Sequence, residues 1–279
     1  MTALPAGSAG SAGSAGAEMR RWSRFSPLQR WGRAGTYVLV ATALVWSVRT
    51  IEVIPEFLAD APEQTADLFA RMWPIDWSYW GRAARAGLIE TLHTATLGTL
   101  IALSLAVPVA LLASVQVTRS SALNALARLV LVSSRSVNSL IWALLFVAVF
   151  GPGALAGTLA IAFRSVGFIG KLLAEALDEA NAGPVEALVA AGAPMHAVLL
   201  KAYWPQVQPS FWSVALFRWD INVRESAVLG LVGGGGIGVA LEAAISNLYW
   251  DQVGLCLLVI FAVVIATEVV TGLLRSRVI

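Results

Sequence analysis

The ionisable side chains Arg135, Arg164, Arg218, Asp220, Arg224, Glu225 and Glu268 all lie in or beside stretches apolar enough to cross a bilayer. Charges are costly in lipid, so such groups face a cavity, a partner helix or each other. Asp220 and Arg224 are four residues apart and share one face of a helix, which makes a structural ion pair their plainest reading. Arg218 and Glu225, seven apart, also share a face. Arg164 falls in mid-span with no acid at helical spacing. Arg135 sits low enough in its span to snorkel toward a membrane surface. Helix–helix hydrogen bonding competes with a ligand-facing role at each of these positions.

Nothing else in the chain has the composition of a catalytic centre. His93 and His196 are the only histidines and Cys256 the only cysteine, so a histidine metal site and an intramolecular disulfide are both ruled against. Gly233, Gly235 and Gly238 satisfy G-x-G-x-x-G, but no strand precedes them and no βαβ unit surrounds them. They read as a tight turn where helices approach closely. Gly170-Lys171-Leu172 lacks the upstream glycine and the following Ser or Thr of a phosphate-binding loop. The chain therefore cannot hydrolyse ATP by that route. No cofactor is expected in it, and it reads as a non-enzyme.

The elements that must position the charges are transmembrane helices. Of 279 residues, 58% are hydrophobic and 13% charged, and mean hydropathy is +0.74. The net charge of +2 implies no nucleic-acid partner. Residues 1–18 carry a Gly/Ser/Ala repeat that reads as a flexible linker, engineered or natural, and is set aside from the fold. Residues 19–83 hold a basic segment (Arg20, Arg21, Arg24, Arg30, Arg33), a first span at Ala34–Val48 and an acidic amphipathic connector leading to Trp73, Trp77 and Trp80. The remainder, 84–279, reads as the main membrane domain. Its spans fall near Leu88–Val115, Leu129–Phe150, Ala154–Leu173, Phe211–Val232 and Val253–Leu274, each close to the ~20 residues a bilayer requires. Residues 233–251 read as an outer loop. The expected fold is all-α, with six transmembrane helices. Positive-inside bias places both termini, residues 116–128 and the 175–205 segment in the cytoplasm.

Glu186–Pro205 interrupts this pattern. Pro184 suits a helix start, Glu186 the first turn and Gly192 a helix end. Pro194 would open a second short helix running to Trp204, which Pro205 would stop. The unit reads as a rigid helical hairpin at the membrane surface, presented to a partner.

Glu186-Ala187, Gly192 six residues after the glutamate and Pro205 thirteen after the glycine resemble the EAA loop of ABC-importer permeases. Leu188, Ala202 and Trp204 depart from the usual residues. Phe217–Gly238 resembles the signature stretch of phosphonate ABC transporter permeases, and the resemblance extends over about residues 85–279. It implies a type I ABC importer permease fold, a five-helix core of the methionine-importer type plus an N-terminal helix. The implied partners are a second copy of the chain, an ABC ATP-binding subunit dimer that binds ATP and Mg, an extracytoplasmic phosphonate-binding protein and membrane lipid, in a bacterial plasma membrane. Glu186, Ala187, Gly192 and Pro205 would couple to the ATPase within a 180–205 coupling loop. Arg164, Arg135, Asn222 and Arg224 would line the pathway of an anionic substrate. Phosphite, phosphate-like oxyanions and methionine are alternative substrates. An ion-coupled secondary transporter and a lipid-modifying membrane enzyme are the rivals from other classes.

Overall fold

A computed structural model describes residues 27–51 and 54–278. The Gly/Ser/Ala repeat and Arg20, Arg21 and Arg24 lie outside the described residues. The described elements are helical, and no strand occurs among them. The chain divides into two compact units at Pro62. In the first, α1 (Pro27–Thr50) leaves its side chains from Trp31 onward exposed, as a lipid-facing helix would. Helix α2 (Pro55–Arg71) follows it across the boundary and buries no residue.

The second unit contains α3 (Arg85–Ala113), α4 (Ser121–Ser136), α5 (Ser139–Phe150), α6 (Ala154–Asp178), α7 (Ala182–Ala190), α8 (Met195–Val198), α9 (Trp204–Leu229), α10 (Ile237–Ser246) and α11 (Trp250–Val278). Four helical segments are long and apolar enough to cross a membrane unaided: Trp80–Ala113, Ala154–Asp178, Met195–Ser246 and Trp250–Arg277. Trp31–Thr50 with Pro55–Arg71, and α4 with α5, reach that standard only as pairs.

Packing centres on α3 and α6. Along α3 the buried positions Thr91, Thr94, Ala95, Gly98, Thr99, Ala102, Ala106, Ala110 and Ala113 follow the helical period and are nearly all small. Lipid tails are as apolar as leucine, so helices in a membrane associate by close packing rather than by escape from water. Small residues allow that approach. A Cβ on Gly157 of α6 would stand 2.1 Å from the Gly234 carbonyl oxygen. The Gly233–Gly236 turn therefore seats directly on α6, and Gly153 N–H donates to Gly233 O at 2.8 Å.

The structure corrects the expected spans in three places. The third is not one helix. It breaks at Val137–Asn138, where α4 and α5 meet at 90° and the Asn138 side chain caps α5 by accepting from Leu140 N–H. Residues 237–246 are not loop but the buried helix α10, whose Ala240 carbonyl accepts from Tyr79 Oη at 3.0 Å. Pro205 does not stop a helix. It sits at the second position of α9, and a π-helical turn at Leu199–Tyr203 joins α8 to α9 without interruption. A wider turn before the proline accommodates its ring and missing N–H, which would otherwise break the ladder.

Candidate functional site

Helices α3, α6 and α9 bring a polar layer together at the middle of the bundle. Thr99 on α3, Ser165 on α6 and Asn222 and Arg218 on α9 are all buried, with Arg218 only 3% exposed. Arg218 Nε donates to Ser165 Oγ at 2.9 Å, Ser165 Oγ donates to Asn222 Oδ1 at 3.1 Å, and Asn222 Nδ2 donates to Thr99 Oγ1 at 2.8 Å. The Arg218 guanidinium also lies 5.5 Å from the centre of the Phe168 ring. This chain of donors holds a cation that is almost wholly buried. A buried charge is tolerated only when it is paired and hydrogen-bonded.

The pairing comes from Glu225. One carboxylate oxygen accepts from Arg164 on α6 and the other lies 3.3 Å from Arg218 Nη2. Arg164 thus meets an acid on a different helix, 61 residues away in sequence, which helical spacing could not reveal. Arg224 pairs with Asp220 at 2.5 Å across one turn of α9. Arg135 is exposed in the last turn of α4, and no partner is seen for its guanidinium among the described residues. Ser134 beside it fixes the local geometry. Its hydroxyl donates to the Phe163 carbonyl and accepts from Gly167 N–H at 3.1 Å, tying α4 to α6.

Two cavities adjoin these groups. The larger, about 420 Å³, is lined by Val132, Arg135, Ser136, Arg164, Phe168 and Arg218. The other, about 330 Å³, has Asn138, Ser139, Arg164, Arg224 and Glu225 on its walls. Arg164 lines both. Of the four residues expected to line a pathway, Arg135, Arg164 and Arg224 face cavities, whereas Asn222 is fully buried in the polar layer behind them. Ser165, Thr99 and Asn138 belong to the same locus and were not singled out by sequence, whereas Glu225 was read as sharing a face with Arg218 but not as the partner of Arg164. The polar Ser136-Val137-Asn138-Ser139 run, with a capping asparagine, was the available signal for the break.

The second candidate region is the hairpin. Helix α7 starts at Ala182 with Asn181 as its cap, two residues before Pro184. Gly192 adopts φ +74°, Ala193 N–H donates to Leu188 O and Gly192 N–H to Val189 O, both at 3.0 Å. That bond pair is the Schellman closure of a helix C-terminus. Glu186, Ala187, Gly192 and Pro205 are exposed, and α7 buries no residue. The returning arm is embedded instead: Val198, Ala202, Tyr203 and Val207 pack with Ala110, Ala113, Leu173 and Leu177.

Side chains absent from the motif fasten the root of the hairpin. Gln206 Oε1 accepts from Asn181 N–H at 2.8 Å, while Gln206 Nε2 donates to Ala202 O at 2.8 Å. Asp178 Oδ1 accepts from Ser114 Oγ at 2.6 Å and from Val115 N–H at 2.9 Å, and its other oxygen faces Arg128 at 3.5 Å. No group of His, Cys, Asp and Glu suited to a metal ion occurs among the described residues.

Residues 77–279 match the family of binding-protein-dependent transport system inner membrane components. The phosphite transport system permease protein PtxC of Stutzerimonas stutzeri is 41% identical over 212 residues, 76% of this chain and 77% of that protein. The phosphate-import permease protein PhnE of Mycolicibacterium smegmatis is 37% identical over 235 residues, 84% of this chain. This chain spans only 44% of that second relative's length. Among solved structures, a chain of the inward-facing MetNI methionine ABC transporter superposes with a TM-score of 0.59 at 21% identity, covering 70% of this chain and 96% of that one. At that identity the likeness establishes the fold, that of a type I ABC importer permease.

Proposed function

This chain belongs to the family of binding-protein-dependent transport system inner membrane components, and on that premise we propose that it is the permease subunit of an ATP-driven importer for phosphonates or the related oxyanions phosphite and phosphate. The observation that carries the reading is the arginine-rich mid-bundle site. Arg135, Arg164, Arg218 and Arg224 adjoin two neighbouring cavities and, among the described residues, meet only Asp220 and Glu225 as counter-charges. That excess of planar donors suits a small tetrahedral oxyanion. A zwitterionic amino acid such as methionine would leave most of it unsatisfied.

Two copies of the chain form the pathway, in a bacterial plasma membrane with both termini in the cytoplasm. An ATP-binding subunit dimer, which holds ATP and Mg, receives the Glu186–Pro205 hairpins, and an extracytoplasmic binding protein delivers the anion from the other side. Movement of the ATPase subunits displaces α7. The displacement passes through the Gly192 closure into the continuous α8–α9 helix, which carries Arg218, Asn222, Arg224 and Glu225. Trp204 to Arg218 spans roughly 20 Å at ~1.5 Å per residue, so the helix links the hairpin to the arginine layer without an intervening loop. Rocking of that helix alternates access to the site.

Uptake into proteoliposomes containing the full complex tests the assignment. Phosphite, methylphosphonate and phosphate are expected to be imported with ATP, and methionine is not. Import of methionine alone would overturn it. Arg164→Ala is expected to reduce oxyanion uptake at least tenfold, about 1.4 kcal/mol, while the complex still assembles. Unchanged uptake would assign Arg164 to helix packing.

A further inference from the structure

Glu225 occupies an unusual place. Arg164 lines both mid-bundle cavities, Glu225 only the 330 Å³ one and Arg218 only the 420 Å³ one. The ion-paired triad Arg164–Glu225–Arg218 therefore stands as the partition between them. We infer that Glu225 is a resident anion that substitutes for the substrate on Arg164 and Arg218, and that an oxyanion opens the partition by taking the carboxylate's place. The inference rests on the oxyanion reading of the site.

The geometry distinguishes this from an ordinary structural bridge. Glu225 uses one oxygen for a guanidinium on α6 and the other for a guanidinium on α9. A phosphoryl or phosphonyl group offers oxygens in the same bridging manner. The two arginines are held unequally. Arg218 is anchored through Nε by Ser165, whose hydroxyl is in turn engaged with Asn222, and by the Phe168 ring. Arg164 pairs with Glu225 alone among the described residues, and the Arg164 and Glu225 side chains remain 29% and 19% exposed. One arginine is a fixed post, then, and the other is free to move once the carboxylate leaves.

The charges argue the same way. Without Glu225 and without ligand, Arg218 would be a buried cation that has lost its ion-pair partner, an arrangement that strongly disfavours the folded site. A site that must be empty for part of each cycle needs an internal anion for that interval. When the oxyanion arrives, it brings its own charge, and the displaced carboxylate has Asn138, Ser139 and Arg224 on the walls of its cavity to receive it. The exchange is one anion for another on the same donors. A carboxylate too weak to compete would let the substrate stay bound, and one too strong would exclude it.

The test uses the reconstituted complex of permease, ATPase and binding protein, with phosphite and methylphosphonate as probes. Glu225→Gln keeps the shape and removes the competing charge. It is expected to lower KM and to lower the maximal uptake rate, each on the order of tenfold, because the anion binds without a rival and leaves slowly. Adding Arg164→Gln to Glu225→Gln is expected to raise KM again. In the wild-type complex, carbodiimide modification of Glu225, located by peptide mass spectrometry, is expected to increase when methylphosphonate is added, as the carboxylate is released from its arginines. That arm decides the matter if Glu225→Gln does not assemble. Wild-type import combined with an unchanged or raised KM in Glu225→Gln, or with no rise in Glu225 modification, overturns the partition and leaves the oxyanion reading standing. A wild-type complex that moves neither oxyanion overturns both.

Discussion

The two ends of the bundle are closed by different means. At one end the Gly233–Gly236 turn lies against α6 and α3 with backbone touching backbone. The Gly234 carbonyl leaves no room for a side chain at Gly157, and Ile237 leaves none at Gly87. At the other end Asp178, Asn181 and Gln206 fasten the hairpin through side-chain hydrogen bonds, and α7 stands exposed beyond them. A close-packed backbone joint has no alternative arrangement at comparable energy, whereas a hydrogen-bonded clasp can be re-formed after a small displacement. Motion is thus expected to enter at the hairpin end, with the glycine joint as the fixed point about which the helices rock.

Substitutions should affect the two ends differently. Gly157→Val gives the largest expected effect, about 3 kcal/mol from overpacking against an immovable carbonyl, read as loss of folded complex or a lowered Tm in detergent. Asp178→Ala removes an acceptor shared by Ser114 and two backbone N–H groups together with the Arg128 pair. Its expected cost is about 2 kcal/mol, with assembly retained. Gly192→Val forces a β-branched residue into the left-handed region at about 1–2 kcal/mol. Here the loss should fall on uptake rather than on the amount of complex, as it should for Glu186→Arg. Gln206→Ala loosens the hairpin root by about 1 kcal/mol, expected as more ATP hydrolysed per anion imported. If the Gly192 and Gln206 variants lost stability while transporting normally per folded complex, the division between the two ends would fail.

The smallest expected effect lies outside both ends. The Asp76 carboxyl is held below its ordinary value of 3.8, chiefly by the hydrogen bond from Ser78, with Arg82 adding to the effect. A carboxylate with a lowered folded pKa contributes stability above its unfolded pKa and loses it as pH falls through the folded value. Asp76→Asn should therefore differ slightly from wild type at pH 7, and the difference in Tm should begin to shrink as pH falls below about 3.8 and vanish only below the lower folded value.

Much of this was legible in the sequence where spacing is local. The Gly192 turn, the Arg224–Asp220 pair and the apolar spans each depend on neighbours within a few residues. Glu225 between Arg164 and Arg218 was half legible. The seven-residue spacing to Arg218 is visible in one helix, while the partner on α6 appears only once α6 packs beside α9. Pro205 misled because its rule for breaking helices assumes an α-helical ladder before it, and the chain places a π turn there. Helix α10 was read as loop since Gly233–Gly236 punctuates strongly, and only tertiary packing shows the segment returning into the core. The break at Val137–Asn138 was hidden by hydrophobicity on both sides, although its capping asparagine was in plain view.

The link between hairpin and arginines is the unbroken helix from Met195 to Leu229. Ser213→Gly with Val214→Gly weakens that helix midway by about 1 kcal/mol per residue and leaves the exposed α7 and the arginines unaltered, although Val214 also gives up packing against the hairpin-side core. The measurement is oxyanion imported per ATP hydrolysed, in proteoliposomes holding the complete complex. The expected result is continued ATP hydrolysis with uptake per ATP reduced severalfold. Uptake per ATP equal to that of the wild type would show that the motion reaches the arginine layer by another route.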